Sequence, residues 1–520
     1  MSKSSIIFIL ISIFIISTAL FFRIQRILSY DVPFNFDHGL TMLEVREIVE
    51  LKKFRLVGPE GGIKGIFFGP TWYYLIAFIY FVFHGDPRSP AILSTIMNTL
   101  CVILALMLGK RISKIFGILL ASFFAFSSYL ISISANGFVV DVFLLINLIA
   151  IWLLLSAQNK KTLLALGLVA SLSFHFEPVV AIGFNLALFI ILFRQIRNLN
   201  IRYKMLLIIV WLIPFLPQVI FDIRHEFLQI HSILKALGKQ GADLGGSLPL
   251  WSRIPDRLFL LIKQFYQTMG KNNLILTLTL FFYLTRGLLQ IKHVKNKTVS
   301  LICYYSFLLW LIPFLYYTFL FPPGIKSWYF ASFPSFYVLL ICLGLFFSFR
   351  VKIIRFVSFV TIIFLIIVYS QPSDYLQNIN QKLSSQDPSS LINELEAISW
   401  IYSDSKGVPF RVYNYSPSVY DYPYQYLFWW YAQKNNLPLP KDFSYRPQTY
   451  DYVPNKLSFT PLQKTGNQDF IYLIIQSKDI KDIKYWKLEE FLAPFSNTSV
   501  MNAIKFNADI YIEKRRILEN

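Results

Sequence analysis

The chain has 520 residues, of which 55% are hydrophobic and only 15% are charged. An ordinary soluble domain carries about 25% charged residues, so this composition excludes one and predicts a polytopic helical membrane protein. The formal net charge of +20 is divided among short clusters between apolar runs, as in cytoplasmic loops. It does not form the continuous basic face that nucleic acid requires, and no nucleic-acid partner is expected.

Apolar runs close to the roughly 20 residues of a membrane helix recur along the chain. They occupy residues 5–22, 90–109, 115–134, 139–156, 205–222, 273–290, 298–320, 328–348 and 356–371. The first run lacks a small-residue cleavage site, so we expect a retained anchor. The stretch 162–194 is too long for one span, and the polar turn with a proline at 175–178 divides it into two helices. With the stretch 67–84, the pattern predicts about 11–12 membrane helices.

Basic clusters recur every second span, so all of them can face the cytoplasm together. They are Lys110/Arg111/Lys114, Lys160/Lys161, Arg194/Arg197/Arg202/Lys204, Lys292/Lys295/Lys297 and Arg350/Lys352/Arg355. The extracytoplasmic side of a bacterial-type plasma membrane then receives the 175–178 turn, the 222–272 and 321–327 loops and the C-terminal region. Two alternatives remain for 67–84. If the first loop (23–66) is extracytoplasmic, this stretch is re-entrant or interfacial; if the stretch crosses, the first loop is cytoplasmic.

Hydropathy falls after about residue 371, which divides the chain. Residues 1–371 form the multi-span domain, 372–390 are a linker rich in Ser, Pro and Asp, and 391–520 form a soluble α+β domain. Within this last domain the residue pattern predicts helices at 391–404, 420–435 and 479–493, and strands at 409–414, 470–476 and 500–513.

Three carboxylates near predicted membrane edges are candidates for chemistry. Asp37 follows the first span and is a general base, a metal ligand or a helix cap. Asp141 begins a later span, where an ionisable side chain is a functional candidate and capping by Asn136 or Asp141 is the alternative. Glu44 lies on a predicted amphipathic helix at the membrane interface.

Further candidates lie on the same predicted side of the membrane. His175 and Glu177 either line a cavity or bond each other. Arg224 and His225 suit a phosphate or form local ion pairs, and Lys326 either binds phosphate or extends its ammonium to the interface. Because no nucleotide-binding motif is present, these groups favour a membrane-delivered substrate that carries phosphate.

In this order and spacing, the motifs resemble the polytopic GT-C glycosyltransferases (glycosyltransferase family 39-like), in the branch that includes protein mannosyltransferases and the aminoarabinose transferase of lipid A. That family has an acidic residue in the first outer loop, an amphipathic helix with Arg, and Gly-Pro before an aromatic helix. A second Asp starts a later span, and a basic residue and Tyr precede a Pro-containing span. The matching residues are Asp37, Glu44, Arg46, Gly69-Pro70 before Trp72-Tyr73-Tyr74, Asp141, Lys326, Tyr329 and Pro334.

The chain departs from the family before the aromatic helix. Many members carry His-Pro-Pro or Glu-Lys-Pro there, whereas this chain has Phe67-Phe68-Gly69-Pro70. The charged partner of the first aspartate is therefore missing or is supplied by Lys64.

The resemblance implies transfer of a sugar from a polyprenyl-phosphate donor to an acceptor hydroxyl, by inverting single displacement, on the extracytoplasmic side. Asp37 would be the base, with Asp141 and Glu44 near the acceptor or a metal. Donor phosphate would be bound by Arg224, His225, Lys326 and Lys64, and further cavity residues would be His175, Glu177 and Tyr329. A divalent cation, Mg²⁺ or Mn²⁺, is possible but undecided.

Neither the sugar nor the acceptor, whether protein, lipid or glycan, can be deduced from the sequence. Two alternatives belong to other classes. A lipid-linked glycan transporter or flippase would carry charge in the middle of several spans, whereas the charges here lie mainly at span edges. A non-enzymatic cell-envelope scaffold would bind through the aromatic run Tyr420 to Tyr431, for which a buried core helix is the competing interpretation.

Overall fold

The structure is a computed structural model with a helical membrane part and a C-terminal domain that contains a small sheet. It describes residues 2–62, 64–157, 159–238, 248–293, 296–321, 323–349, 351–369, 387–416, 418–447, 452–453, 470–476, 486–506 and 509–517.

Helices form the membrane part, and short 3₁₀ turns join several of them. The helices are α1 (Lys3–Leu28), α2 (Phe36–Glu50), α3 (Thr71–Val82), α4 (Ser89–Lys110), α5 (Lys114–Phe126), α6 (Ser128–Ile133), α7 (Val142–Leu154), α8 (Lys160–Leu172), α9 (Pro178–Arg197), α10 (Ile201–Leu212), α11 (Leu216–Arg224), α12 (Leu228–Gly238), α13 (Leu250–Thr268), α14 (Leu274–His293), α15 (Lys297–Leu315), α16 (Phe333–Ser348) and α17 (Lys352–Tyr369). The predicted break at 175–178 is present, because α8 ends in a 3₁₀ turn and α9 begins at Pro178, where a missing amide hydrogen costs nothing.

Several of these helices are long and apolar enough to cross a membrane. Within the described residues there are 6 such helices: Lys3–Leu28, Ser89–Lys110, Pro178–Arg197, Ile201–Arg224, Lys297–Leu320 and Ser327–Ser348. Shorter apolar helices are Thr71–Val82, Lys114–Phe126, Val139–Leu154, Leu274–Gln290 and Ile354–Leu365. The exposed side chains of α10 are almost all apolar, which suits contact with lipid rather than water. The protein is an integral membrane protein.

One face of the helical part collects basic residues from several turns, and we call it the basic face. The contacts that join these turns are Lys114 Nζ to Ser5 Oγ (3.1 Å), the Arg111 guanidinium over the Trp152 ring (3.7 Å), and Lys160 Nζ over the Tyr203 ring (4.1 Å). The N-terminus of α1, the α4–α5 turn and the starts of α8 and α10 therefore lie on the same face. For the clusters at 110–114, 160–161 and 202–204 these contacts agree with the predicted grouping, and the grouping of the remaining clusters stays a prediction.

The opposite face, which we call the loop face, carries the whole segment between α1 and α4. Arg88, just before α4, donates to the Ile27 carbonyl near the end of α1 (3.1 Å). Gly85, just after α3, accepts a bond from Tyr426 of the C-terminal domain (2.6 Å). The 12 residues of α3 span about 18 Å, well short of a hydrocarbon core of about 30 Å. Since the segment between α1 and α4 begins and ends on the loop face, the structure favours the alternative in which 67–84 is re-entrant or interfacial.

The C-terminal domain contains a five-stranded sheet in the order β2-β1-β3-β5-β4. The strands are β1 (Phe410–Tyr415), β2 (Asp442–Ser444), β3 (Phe470–Gln476), β4 (Thr498–Lys505) and β5 (Ile510–Ile517), with helices at Leu391–Ser405, Tyr422–Lys434 and Leu488–Leu492. The central β3 pairs in parallel with β1 and antiparallel with β5, and its apolar run is buried on both sides.

Two predictions for this domain need correction. The single strand predicted at 500–513 is wrong, because the structure has two antiparallel strands there, β4 ending at Lys505 and β5 beginning at Ile510. The short strand β2 was not predicted, since three residues carry too little periodicity. Much of the predicted linker 372–390 and part of the predicted helix 479–493 lie outside the described residues.

The C-terminal domain packs against α2 of the first loop. The helix Tyr422–Lys434, which we call the aromatic helix, approaches so closely that a Cβ on Gly39 would lie 2.3 Å from the Pro423 nitrogen. The Arg46 guanidinium lies 5.0 Å from the Trp429 ring centroid. The Phe34 amide donates to the Ser389 carbonyl (2.8 Å). The first loop and the C-terminal domain therefore share one side of the membrane.

Candidate active site

A cavity of about 2400 Å³ opens on the loop face between the membrane helices and the C-terminal domain. Its walls come from the first loop, the starts of α7 and α9, the helices α11 to α13, the 316–331 segment and the start of the aromatic helix. Of the predicted site residues it is lined by Asp37, Asp141, Glu177, Lys326 and Tyr329. Residues that are far apart in the sequence are thus brought together at one entrance.

Asp37 lies in the first turn of α2, but its carboxylate does not cap that helix. The cap is Asn35, whose Oδ1 accepts from the amides of Asp37 (3.1 Å) and His38 (3.4 Å). Burial raises the pKa of the Asp37 carboxyl. The capping alternative for Asp37 is therefore wrong, and Asp37 lines the cavity.

His38 fixes the start of α2 against the helix bundle. Its Nδ1 lies 2.9 Å from Asn35 Oδ1 and its Nε2 lies 2.6 Å from the Asn136 carbonyl oxygen. Burial lowers the pKa of His38 to about 4, so the imidazole is neutral at pH 7. This contact holds the Asp37 turn near the segment that leads into Asp141.

Asp141 ends a short 3₁₀ turn before α7 and also lines the cavity. Its side chain makes no capping hydrogen bond to α7. The alternative in which Asp141 caps this helix is therefore wrong. Its Oδ2 atom is buried and has no hydrogen-bond partner among the described residues. A buried carboxylate oxygen without a donor is costly in a folded protein and is commonest where a ligand supplies the donor.

Two cations line the cavity. Lys326 precedes the 3₁₀ turn Ser327–Phe330 and is exposed, with its ammonium 5.9 Å from the Trp328 ring. Arg253 lies on α13, donates a long bond to the Phe319 carbonyl (3.4 Å), and keeps a buried Nε without a partner among the described residues. Arg253 was missed by the sequence analysis, although it lies on an amphipathic helix within the predicted 222–272 outer loop.

Glu177 and Tyr329 form another part of the cavity wall. Glu177 is the N-cap of α9 and accepts from the Val179 amide (3.4 Å). Tyr329 is buried, and its carbonyl accepts from the Tyr317 hydroxyl (3.2 Å). Glu177 does not bond His175, so the alternative in which these two side chains bond each other is wrong.

His175 instead packs against the Gly69-Pro70 turn and bonds the residue that follows it. Its Nε2 lies 2.8 Å from the Pro214 carbonyl oxygen and must donate, so its Nδ1 accepts from the Thr71 hydroxyl (2.6 Å). A Cβ on Gly69 would lie 2.1 Å from the imidazole Cγ. The glycine is thus required by the close approach of the ring, and His175 lies outside the cavity lining.

The remaining predicted site residues also lie outside the cavity lining. Glu44 and Glu47 both bond Arg55, the latter at 2.7 Å, and Glu44 therefore holds the first loop together. Lys64 is exposed in that loop, Arg224 is exposed at the end of α11, and His225 stacks on Phe221 with ring centroids 4.0 Å apart.

The Phe67-Phe68 segment, which departs from the motif that the sequence resembles, is held by neutral contacts. The Phe67 amide donates to Gln229 (3.1 Å) and its carbonyl accepts from Gln218 (3.1 Å). The Phe67 ring packs edge-on against Phe221 (5.3 Å). Positioning of this turn therefore relies on two glutamines rather than on an ion pair.

The described residues contain no group of three or more His, Cys, Asp or Glu side chains that could hold a metal ion. Asp37 and Asp141 could supply one or two carboxylate ligands to Mg²⁺, which usually takes its other ligands from water and substrate phosphate. A divalent cation at this site stays a prediction.

The fold and cavity define a class, the polytopic helical membrane proteins of the GT-C-like fold with a C-terminal α+β domain. The chain is similar to the crystal structure of ArnT from Cupriavidus metallidurans in the apo state (TM-score 0.55, 10% identity, 98% of each chain covered). It is also similar to ArnT bound to undecaprenyl phosphate (TM-score 0.53, 10% identity, 98% of this chain and 97% of that chain). No protein-family model and no curated protein sequence matches. At this identity the likeness shows the fold, and it confirms the fold class predicted from the motifs.

Proposed function

We propose that the protein is a membrane glycosyltransferase, which moves a sugar from a polyprenyl-phosphate donor to an acceptor hydroxyl on the extracytoplasmic face. The observation that carries this proposal is the cavity on the loop face. Its lining includes five acidic residues, among them Asp37 and Asp141, and two cations, Arg253 and Lys326, at the edge of apolar membrane helices. Because ArnT shares the fold and was crystallised with undecaprenyl phosphate, that class of lipid is the first donor carrier to test.

Asp37 is assigned the role of general base. Its carboxylate takes the proton of the acceptor hydroxyl while the acceptor oxygen attacks the anomeric carbon. The bond from that carbon to the phosphate oxygen breaks on the opposite face, so polyprenyl phosphate leaves and the configuration inverts. Burial supports this assignment, since a raised pKa brings the carboxyl nearer to the pH at which a base works best.

Arg253 and Lys326 are assigned to the donor phosphate. Negative charge grows on the leaving phosphate, and fixed cations at a cavity edge stabilise it more than mobile ions in water. The unpartnered Arg253 Nε supports this role, because the site leaves a guanidinium donor unused. Asp141, with its free Oδ2, is assigned to accept a hydrogen bond from a sugar or acceptor hydroxyl.

The test of the base is Asp37→Asn in membranes supplied with several undecaprenyl-phosphate-linked sugars. Loss of a positioned base should lower transfer about 10²–10⁴-fold. The melting temperature should stay or rise, because the amide has no buried charge to desolvate. Glu490→Gln, an exposed carboxyl of the C-terminal domain, is the control and should behave as wild type. Full transfer by a folded Asp37→Asn variant would remove the base from the proposal.

The phosphate assignment is tested by Arg253→Gln and Lys326→Gln. Each should raise the KM for the donor about tenfold or more, as expected for loss of a hydrogen bond to a charged group. Arg224→Gln is the matched control, since Arg224 is a cation of the same face that does not line the cavity. If the donor KM rises only in Arg224→Gln, the assignment of the phosphate to Arg253 and Lys326 is wrong, and the phosphate binds near the end of α11.

A further inference from the structure

Two tyrosines at the start of the aromatic helix line the cavity from the side of the C-terminal domain. The Tyr420 and Tyr422 rings are nearly parallel and stacked, with an interplanar angle of 15° and centroids 5.7 Å apart, and both line the cavity. Tyr420 is 41% exposed. The Tyr422 ring lies 5.0 Å from the Phe36 ring, and Phe36 directly precedes Asp37. We call Tyr420 and Tyr422 the tyrosine platform.

The platform is held rigidly from behind. Asp421, between the two tyrosines, is buried and accepts bonds from Asn414 (2.6 Å) and Tyr452. The Tyr452 ring lies 5.7 Å from Tyr420 and 6.0 Å from Tyr422. A rigid support of this kind fixes a binding surface before its ligand arrives.

The turn that leads into the platform is strained. Val419 has φ +67°, a left-handed conformation that a β-branched residue rarely adopts. The turn is closed by bonds from the Val419 amide to the Ser416 carbonyl (3.1 Å) and from the Ser418 hydroxyl to the Tyr420 carbonyl (3.0 Å). Such strain persists where the surrounding structure enforces it, often at functional sites.

The phenol hydroxyls of Tyr420 and Tyr422 have no hydrogen-bond partner among the described residues. The exposed part of the Tyr420 ring, beside the two hydroxyls, offers an apolar surface with a polar edge. A pyranose ring has the complementary form, since one face presents C–H groups and the rim carries hydroxyls. Its polarised C–H groups meet the negative face of an aromatic ring favourably.

We propose that the tyrosine platform binds the acceptor, and that the acceptor is a glycan whose terminal pyranose packs against the exposed ring of Tyr420. This inference rests on the proposed function, because only a transferase has an acceptor. The donor's lipid chain must lie among the membrane helices, whereas the platform belongs to the soluble domain. A glycan that approaches from the aqueous side meets the platform next to the Asp37 turn, where its hydroxyl would give up the proton.

Binding is tested without catalysis, on the full chain in lipid nanodiscs. Saturation-transfer NMR would use millimolar methyl glycosides of glucose, galactose, mannose and N-acetylglucosamine. We expect the strongest saturation on ring C–H protons of at least one glycoside, weakened about 3- to 10-fold by Tyr420→Ala and preserved in Tyr420→Phe. Tyr511→Ala is the control, since Tyr511 is equally exposed (41%) in the same domain but does not line the cavity. No signal from any glycoside, or equal signals from wild type and Tyr420→Ala, overturns the proposal.

A second measurement separates this proposal from the proposed function. Asp37→Asn should still bind the glycosides, because it changes only the base. If transfer proves independent of Asp37 while Tyr420→Ala loses binding, the base assignment fails and the platform stands. Where transfer is measured, Tyr420→Ala should raise the acceptor KM about 3- to 10-fold and leave the donor KM unchanged. The same NMR measurement can be made with a Ser/Thr-containing peptide. If the peptide receives saturation that depends on Tyr420 while no glycoside does, the assignment of the acceptor as a glycan is wrong.

Discussion

At the scale of single residues, the environment of Asp37 sets the expected pH dependence of transfer. Burial disfavours the ionised carboxylate and raises its pKa, so the proton is lost at a higher pH than from a free aspartate. Only the ionised form can accept the acceptor's proton. We therefore expect kcat/KM to fall as pH decreases through that raised pKa and to level off above it.

The measurement is a pH profile of kcat/KM for wild type and Asp37→Glu. The acidic limb should lie above the ordinary aspartate value of about 3.9, and Asp37→Glu should move it. An acidic limb at or below the ordinary value, or one that Asp37→Glu leaves in place, would contradict an aspartate base in a desolvated site.

Gly69 is the second residue for which the structure makes a sharp prediction. A methyl group in its place would press on the His175 ring, 2.1 Å from its Cγ. The ring would move and lose its bonds to Thr71 and Pro214. We expect Gly69→Ala to lower stability by about 1–3 kcal/mol. Gly62→Ala is the control, because a Cβ there meets nothing within 4 Å. Thermal unfolding in detergent would compare them, and equal melting temperatures would exclude the close packing.

At the scale of elements, the first loop is organised by ion pairs as well as by helices. Arg55 bonds Glu44 and Glu47 of α2, and its backbone amide and carbonyl both bond the Tyr74 hydroxyl of α3 (3.1 and 2.8 Å). Tyr80 of α3 also donates to Glu50 (3.0 Å). The triad of Arg55, Glu44 and Glu47 therefore joins the end of α2 to α3.

We accordingly expect Glu44→Gln to affect stability more than chemistry. The loss of one charged hydrogen bond should cost about 1–3 kcal/mol, while the pH profile of transfer keeps its shape. Arg55→Met should cost more, since it removes the ion-pair partner of Glu44 and one of the partners of Glu47. Melting temperatures and pH profiles of both variants would test this. A shifted acidic limb in a stable Glu44→Gln variant would instead give Glu44 a part in proton transfer.

Helices and helix breaks were predicted well where the residues of one short segment are enough to determine them. The apolar spans, the break at 175–178 and the helix near 391–404 follow from local hydrophobicity and proline, which the sequence states directly. The site was only partly predictable. Asp37 and Asp141 stand at span edges, but Arg253 and Tyr420 become cavity residues only through packing of α13 and the aromatic helix. The displacement of Arg224 from the cavity depends on the direction in which α11 ends, which no periodicity specifies.

At the scale of the whole molecule, contacts within each face show which segments lie on the same side of the helical part. The first loop and the C-terminal domain share the loop face, while the starts of α8 and α10 share the basic face. From the positive-inside rule we expect the basic face in the cytoplasm. In that orientation the cavity would open to the extracytoplasmic side, where the proposed lipid-linked sugar and acceptor would meet.

Cysteine labelling of intact cells tests this arrangement. Lys64→Cys in the first loop and Glu490→Cys in the C-terminal domain are exposed and should react with a membrane-impermeant maleimide. Lys160→Cys, exposed on the basic face, should react only after the membrane is opened. The native Cys101, Cys303 and Cys342 are buried and serve as the internal background. If Lys64→Cys, like Lys160→Cys, reacted only after the membrane is opened, the first loop would be cytoplasmic. In that case α3 would have to cross the membrane, and Asp37 would face a compartment separate from the C-terminal domain.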